Sequence, residues 1–158
     1  MVSPAQTLIF FTQLQAEKLV FENFIGLLEE EQRILVNGGK DELPPVTANK
    51  TKLLEDLLRL SDQRTSFMKA AGLSFEPEAL SRWISQQNTE AKALWQQCLD
   101  LAKQAKRLND LNGRLVAERL SGNQQAIHTL MAEANQPATY GPDGQTRSLG
   151  QGRTLGSA

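Results

Sequence analysis

Two stretches of this chain repeat a large apolar side chain every seven residues: Leu14, Phe21, Leu28 and Leu35, then Leu94, Leu101, Leu108 and Leu115. A period of seven returns a side chain to nearly the same face of an α-helix after two turns, whereas a half-buried strand needs a period of two. Each stretch is therefore one face of a long helix. Such a face is stable only when another helix covers it. The first stretch also carries a neighbouring column, Val20, Leu27 and Ile34, extended by Phe11 and Ile25. That makes its apolar face wider than a two-stranded seam and predicts more than one neighbour.

The prolines set the lengths. They stand at 4, 44, 45, 77, 137 and 142, leaving 5–43, 46–76 and 78–136 free for uninterrupted helix. The first helix is expected over about 4–36 and ends at Asn37-Gly38-Gly39, because glycine accepts the left-handed conformation at a helix C-terminus. Pro44-Pro45 separates it from a second helix, 46–71, whose face is Leu53, Leu57, Leu60 and Phe67 with Leu54, Leu58 and Met68 alongside. Ala71-Gly72-Leu73 reads as a Schellman end, and Pro77 suits a first helical turn.

A short piece with Leu80, Trp83 and Ile84 leads through Gln87-Asn88-Thr89 into a helix of roughly 40 residues. Its leucine seam is flanked by Trp95, Cys98, Ala102, Ala105 and Val116. Residues 137–158 hold five of the 11 glycines and only Leu149 and Leu155 as large aliphatics. So little apolar surface cannot offset the entropy of ordering, which predicts disorder. The expected architecture is all-α: an antiparallel bundle or hairpin of long amphipathic helices over 1–136, with a flexible glycine-rich tail over 137–158.

Residues suited to chemistry are sparse. A net charge of −1 argues against a surface built to neutralise phosphates. Lys103, Lys106, Arg107 and Arg114 are interrupted by Asp100 and Asp110 without interleaved aromatics, so no nucleic-acid partner is expected. Cys98 and His128 are the only residues of their kinds; on one helix they stand ~45 Å apart, so neither a metal nor another cofactor is expected. Glu29-Glu30-Glu31 point ~100° apart on a helix and read as solvated, with Glu29 reaching Arg33. A histidine phosphotransfer bundle would want a cation and a small residue beside its histidine, whereas His128 is followed by Thr129-Leu130-Met131. Cys98 lies on the inner face as a small hydrophobe. No catalytic residues emerge, and the chain reads as a non-enzyme. No apolar run nears the ~20 residues of a membrane span, and no basic segment precedes Leu8-Ile9-Phe10-Phe11. The chain thus reads as cytoplasmic, without stable membrane insertion.

Two features remain. Past Leu115 the apolar set shifts to Val116, Leu120, Ile127 and Met131, out of line with the seam. That stripe could fold back on the bundle or receive an amphipathic partner helix. Gly122-Asn123 interrupts it as a weak point in helix propensity. The second feature is Tyr140, the single tyrosine, set among Pro137, Gly141, Pro142 and Gly144. Either it is an ordinary tail residue or its ring is a short docking element.

The segment "NDLNGRLVAERLSGNQQAIHTL" (109–130), followed by "ATYGPDGQT" (138–146), resembles the C-terminal half of FlgN-type flagellar export chaperones. The matching features are Asn109, Asn112-Gly113, Leu115, Asn123-Gln124-Gln125-Ala126, Leu130, Tyr140-Gly141 and Asp143-Gly144-Gln145-Thr146. The resemblance implies a small helical cytosolic chaperone of type III flagellar export. It would bind C-terminal helical segments of hook–filament junction proteins (hook-associated proteins), keep them unassembled and deliver them to the cytoplasmic domain of the export gate. Export ATPase components are a further candidate contact. By the same resemblance the client-binding residues are Leu115, Val116, Leu120, Asn123, Ile127, Leu130 and Met131, and the gate-docking residue is Tyr140. A self-associating coiled-coil scaffold is the competing reading, because both leucine seams could pair between chains.

Overall fold

The computed structural model describes residues 1–134, 139–140 and 146–147. Four α-helices account for nearly all of them: α1 (Pro4–Asn37), α2 (Leu43–Ala70), α3 (Ala79–Ser85) and α4 (Thr89–Ala134). The expected all-α bundle of long helices is the fold observed. Thr139–Tyr140 (β1) pairs antiparallel with Thr146–Arg147 (β2), and the rest of the expected disordered tail lies outside the described residues. Residues Met1–Leu115 form one compact unit and Val116–Ala158 a second.

Local chemistry fixes the helix ends. Ser3 caps α1 with a reciprocal box: its Oγ accepts from the Gln6 N–H at 3.2 Å, and Gln6 Oε1 accepts from the Ser3 N–H at 2.9 Å. Gly38 closes the other end at φ 82°, its N–H donating to Ile34 O. The second helix ends in the expected Schellman motif: Leu73 N–H donates to Met68 O, Gly72 N–H to Lys69 O, and Gly72 sits at φ 66°. Two boundaries differ from expectation. Pro44 and Pro45 fall inside the first turn of α2, where their missing N–H groups cost nothing. Pro77 instead lies in a turn ahead of α3, which starts at Ala79. Asn88 caps α4, its Oδ1 accepting from the Ala91 N–H at 2.8 Å.

In the first unit α1 and α2 run antiparallel. Glu17 pairs with Arg64, and Glu31 with Lys50 at 3.1 Å, so fourteen residues forward on α1 are fourteen back on α2. The first part of α4 runs parallel to α1: Cys98 Sγ lies 3.6 Å from Leu14 O, and Asn112 Nδ2 lies 2.8 Å from Leu28 O, again fourteen residues on. The packing is up, down, up.

The core has two parts. One gathers Phe10, Leu14, Leu80, Ile84 and Cys98, where α3 closes over the bundle. The Phe10 ring lies 4.5 Å from Phe67 and 5.3 Å edge-on from Trp83, aromatic pairs that each add ~0.5–1.5 kcal/mol beyond area burial. The other joins Phe24, Ile25, Leu28 and Ala105, with Phe21, Leu53, Leu57, Leu101 and Leu108 against it.

The second column of α1 differs from the expected one. Val20 and Leu27 are only half-buried; the buried column is Phe10, Glu17, Phe24 and Glu31, so two glutamates occupy core positions. Glu31 is thus no solvated charge: it accepts from Lys50 and, at 2.9 Å, from Asn112 Nδ2. Arg33 meets Glu42 at 3.9 Å rather than Glu29.

Cys98 is buried at 4% exposure, and that burial pushes its thiol up to about 11. The unfolded thiol, near 9.0, ionises first as the pH rises. The Cys98 contribution to stability is therefore whole below pH 9 and declines between pH 9 and 11. Denaturant titrations across that range should show a decline that is shallower in Cys98→Ala; equal slopes would show that the thiol is not desolvated.

Candidate functional site

From Ala91 to Leu115 the α4 seam obeys a strict heptad. Ala91, Cys98, Ala105 and Asn112 form one buried column, and Leu94, Leu101, Leu108 and Leu115 form a half-buried one. The next positions of that code are Arg119 and Gly122. The apolar code therefore stops at Leu115, although the helix continues to Ala134.

In the second unit every residue from Ser121 to Ala134 is exposed. Val116, Leu120, Ile127, Leu130 and Met131 have between 46 and 64% of their surface open to solvent. At 100° per residue, these five and Asn123 fall within an arc of ~100° on one side of the helix. Leu115 lies ~60° outside that arc and is half-buried with the seam. The structure thus brings together six of the seven expected client-binding residues on one face and leaves Leu115 with the core. Large apolar side chains in such a contiguous stripe stay hydrated at a cost in free energy. The Tyr140 backbone pairs with Thr146, while its side chain lies outside what the structure describes.

A further apolar feature has no counterpart in the sequence reading. A cleft of about 930 Å³ runs between the N-terminal part of α1 and the start of α4, lined by Leu8, Phe11, Leu19 and Leu94 together with Lys18 and Glu22. Leu8 and Leu19 are 70% and 58% exposed. Both stand off the Leu14/Phe21 column, the one signal that could have revealed them.

His128 is exposed on α4. Among the described residues no three His, Cys, Asp or Glu side chains converge as metal ligands, and no helix is long and apolar enough to cross a membrane.

An all-helical bundle whose last helix carries an apolar stripe into solvent has the form of a protein that binds other proteins through helix surfaces. The family model described as "FlgN protein" matches residues 7–148, and the chain belongs to that family. It is 30% identical over 133 residues to the flagella synthesis protein FlgN of Proteus mirabilis, a match spanning 82% of this chain and 85% of that protein. A crystal structure of a Pseudomonas aeruginosa protein assigned as a flagella synthesis protein FlgN has the same fold. It superposes with a TM-score of 0.62 at 22% identity, over 80% of this chain and 98% of that one. Family membership gives the chain a role in flagellar assembly, with flagellar proteins as its partners.

Because the stripe is exposed and Leu28 is fully buried, their substitutions should separate. Leu120→Asp with Ile127→Asp should change folding stability by less than ~1 kcal/mol, whereas Leu28→Ala should cost ~2–5 kcal/mol. Chemical denaturation measures both; a large loss from the aspartates would mean that the stripe packs within the folded chain.

Proposed function

We propose that the chain is a cytoplasmic export chaperone of the flagellar type III pathway. It holds the C-terminal helical segments of hook–filament junction proteins against the face formed by Val116, Leu120, Asn123, Ile127, Leu130 and Met131. The carrying observation is the exposure of five large apolar side chains along one side of a helix whose core-facing code has already ended. An amphipathic client helix would remove that surface from water at ~25 cal/mol per Å² of apolar area, and release needs no bond to be made or broken. Asn123, at the middle of the stripe, offers a donor and an acceptor that could fix the client's position along it. The sequence resemblance at Asn123-Gln124-Gln125-Ala126 and Leu130 supports the same face.

The second half of the proposal is delivery. Tyr140 would dock on the cytoplasmic domain of the export gate, its ring filling a pocket on that partner with few rotamers to freeze. Export ATPase components are a further contact in this reading. Holding the client and reaching the gate would then use different parts of the chain.

Three results test the proposal. Leu120→Asp with Ile127→Asp should weaken calorimetric binding of a junction-protein C-terminal peptide by about 100-fold or more, since central apolar anchors contribute ~2 kcal/mol each. Unchanged affinity would mean that another face binds the client. Tyr140→Ala should leave peptide affinity intact and weaken binding to the gate domain by about tenfold, as for loss of one aromatic anchor. Equal gate affinity would make Tyr140 a plain tail residue. A stable oligomer of the protein alone in light scattering would favour the scaffold reading instead.

A further inference from the structure

The apolar seams of the first unit do not by themselves choose how its helices line up. Leu14, Phe21, Leu28 and Leu35 on α1, and Leu94, Leu101, Leu108 and Leu115 on α4, present similar surfaces after a shift of one heptad. The small residues Ala91, Cys98 and Ala105 are nearly as indifferent. What changes with register is the fate of the buried polar groups. Glu17, Glu31 and Asn112 are 4%, 6% and 0% exposed, and each has a partner only in the observed alignment.

Sliding α2 along α1 by one heptad would set Glu31 against Leu43 or Leu57 in place of Lys50, and Glu17 against Leu57 or Ala71 in place of Arg64. Sliding α4 would move Asn112 from Leu28 O and Glu31 to the level of Phe21 and Phe24, or of Leu35 and Gly38. Either slip strands a buried charge or amide without a partner, a far larger penalty than exchanging one leucine contact for another. The observed arrangement is itself not optimised for strength: Asn112 Oδ1 is buried and faces no donor among the described residues. A polar residue that weakens a seam while selecting one alignment is the known behaviour of a buried asparagine in a coiled coil.

We infer that the layer Glu31–Lys50–Asn112 is a register lock: it ties α1, α2 and α4 at one level and sets the axial position of α4, a role separate from client binding. One hydrogen-bonded group joins all three helices, because Glu31 Oε1 accepts from both Lys50 Nζ and Asn112 Nδ2. The Glu17–Arg64 pair holds the α1–α2 alignment a second time, whereas α4 is tied to α1 by Asn112 and by one weak contact, the Cys98 thiol 3.6 Å from Leu14 O, which the Cys98→Ala background removes. Removal of the layer should therefore release α4 specifically.

The test uses spin labels on the full chain in a Cys98→Ala background, attached at Glu29→Cys and Gln97→Cys, both exposed positions. Leu28 stands level with Asn112, so the labelled sites lie sixteen residues apart along the bundle, about 24 Å, and a one-heptad slip changes that by about 10 Å. With the layer intact, pulsed electron resonance should give a single distance. Glu31→Leu, Lys50→Leu and Asn112→Leu together should keep the helicity and give a second population displaced by about 10 Å. A folded triple variant with the single parent distance would overturn the proposal. So would loss of the folded bundle, which would show that the layer sustains the fold instead of choosing its alignment.

Discussion

The first unit rests on a seven-residue repeat of apolar side chains that three helices bury against one another, and the outcome depends equally on where that repeat stops. From Ala91 to Leu115 each turn of α4 sets a buried or half-buried side chain toward α1 and α2. At the next two positions the code offers Arg119 and Gly122, and the apolar residues reappear rotated to another side. A helix that has lost its inward code yet keeps five large apolar side chains retains them against the solvation cost. Under the proposed function, a client helix covering the stripe offsets that cost.

Much of this was legible in residue order. The helix ends at Gly38 and Gly72 follow from the rarity of left-handed backbone in other residues, and both glycines have positive φ. Cys98 was placed on the inner face by its spacing from Leu94 and Leu101 and is buried there. The misplaced second column of α1 has one cause. A pattern search for apolar residues passes over Glu17 and Glu31, because a carboxylate at a core position is favourable only with a cation opposite, and Arg64 and Lys50 are far away in sequence. The buried second column of α1 is thus masked in the sequence by two charges, while Val20 and Leu27 stand out as the apolar positions beside it. The stripe on α4 was legible by rotation alone. Its exposure was not, since periodicity gives the direction of a side chain and not what lies opposite.

The buried charges and the exposed stripe show the chain departing from maximal stability in two ways. An apolar core at Glu31, Lys50 and Asn112 would avoid desolvating a charged pair and stranding an amide oxygen. Polar residues along the stripe would avoid exposing hydrocarbon. In the first case the cost selects one alignment among similar ones; in the second it fits the proposed role of the stripe as a client's binding face. Such departures from local rules are where function is expected to lie.

The central claim, that this protein acts by offering the exposed apolar stripe of its last helix to a client helix, can be read residue by residue. The most direct measurement is amide hydrogen exchange of the full chain with and without a junction-protein C-terminal segment. The account predicts new protection concentrated between residues 116 and 131, with little change along α1 and α2. Protection confined to the cleft beside Leu8, Phe11 and Leu19, with 116–131 exchanging as before, would contradict it.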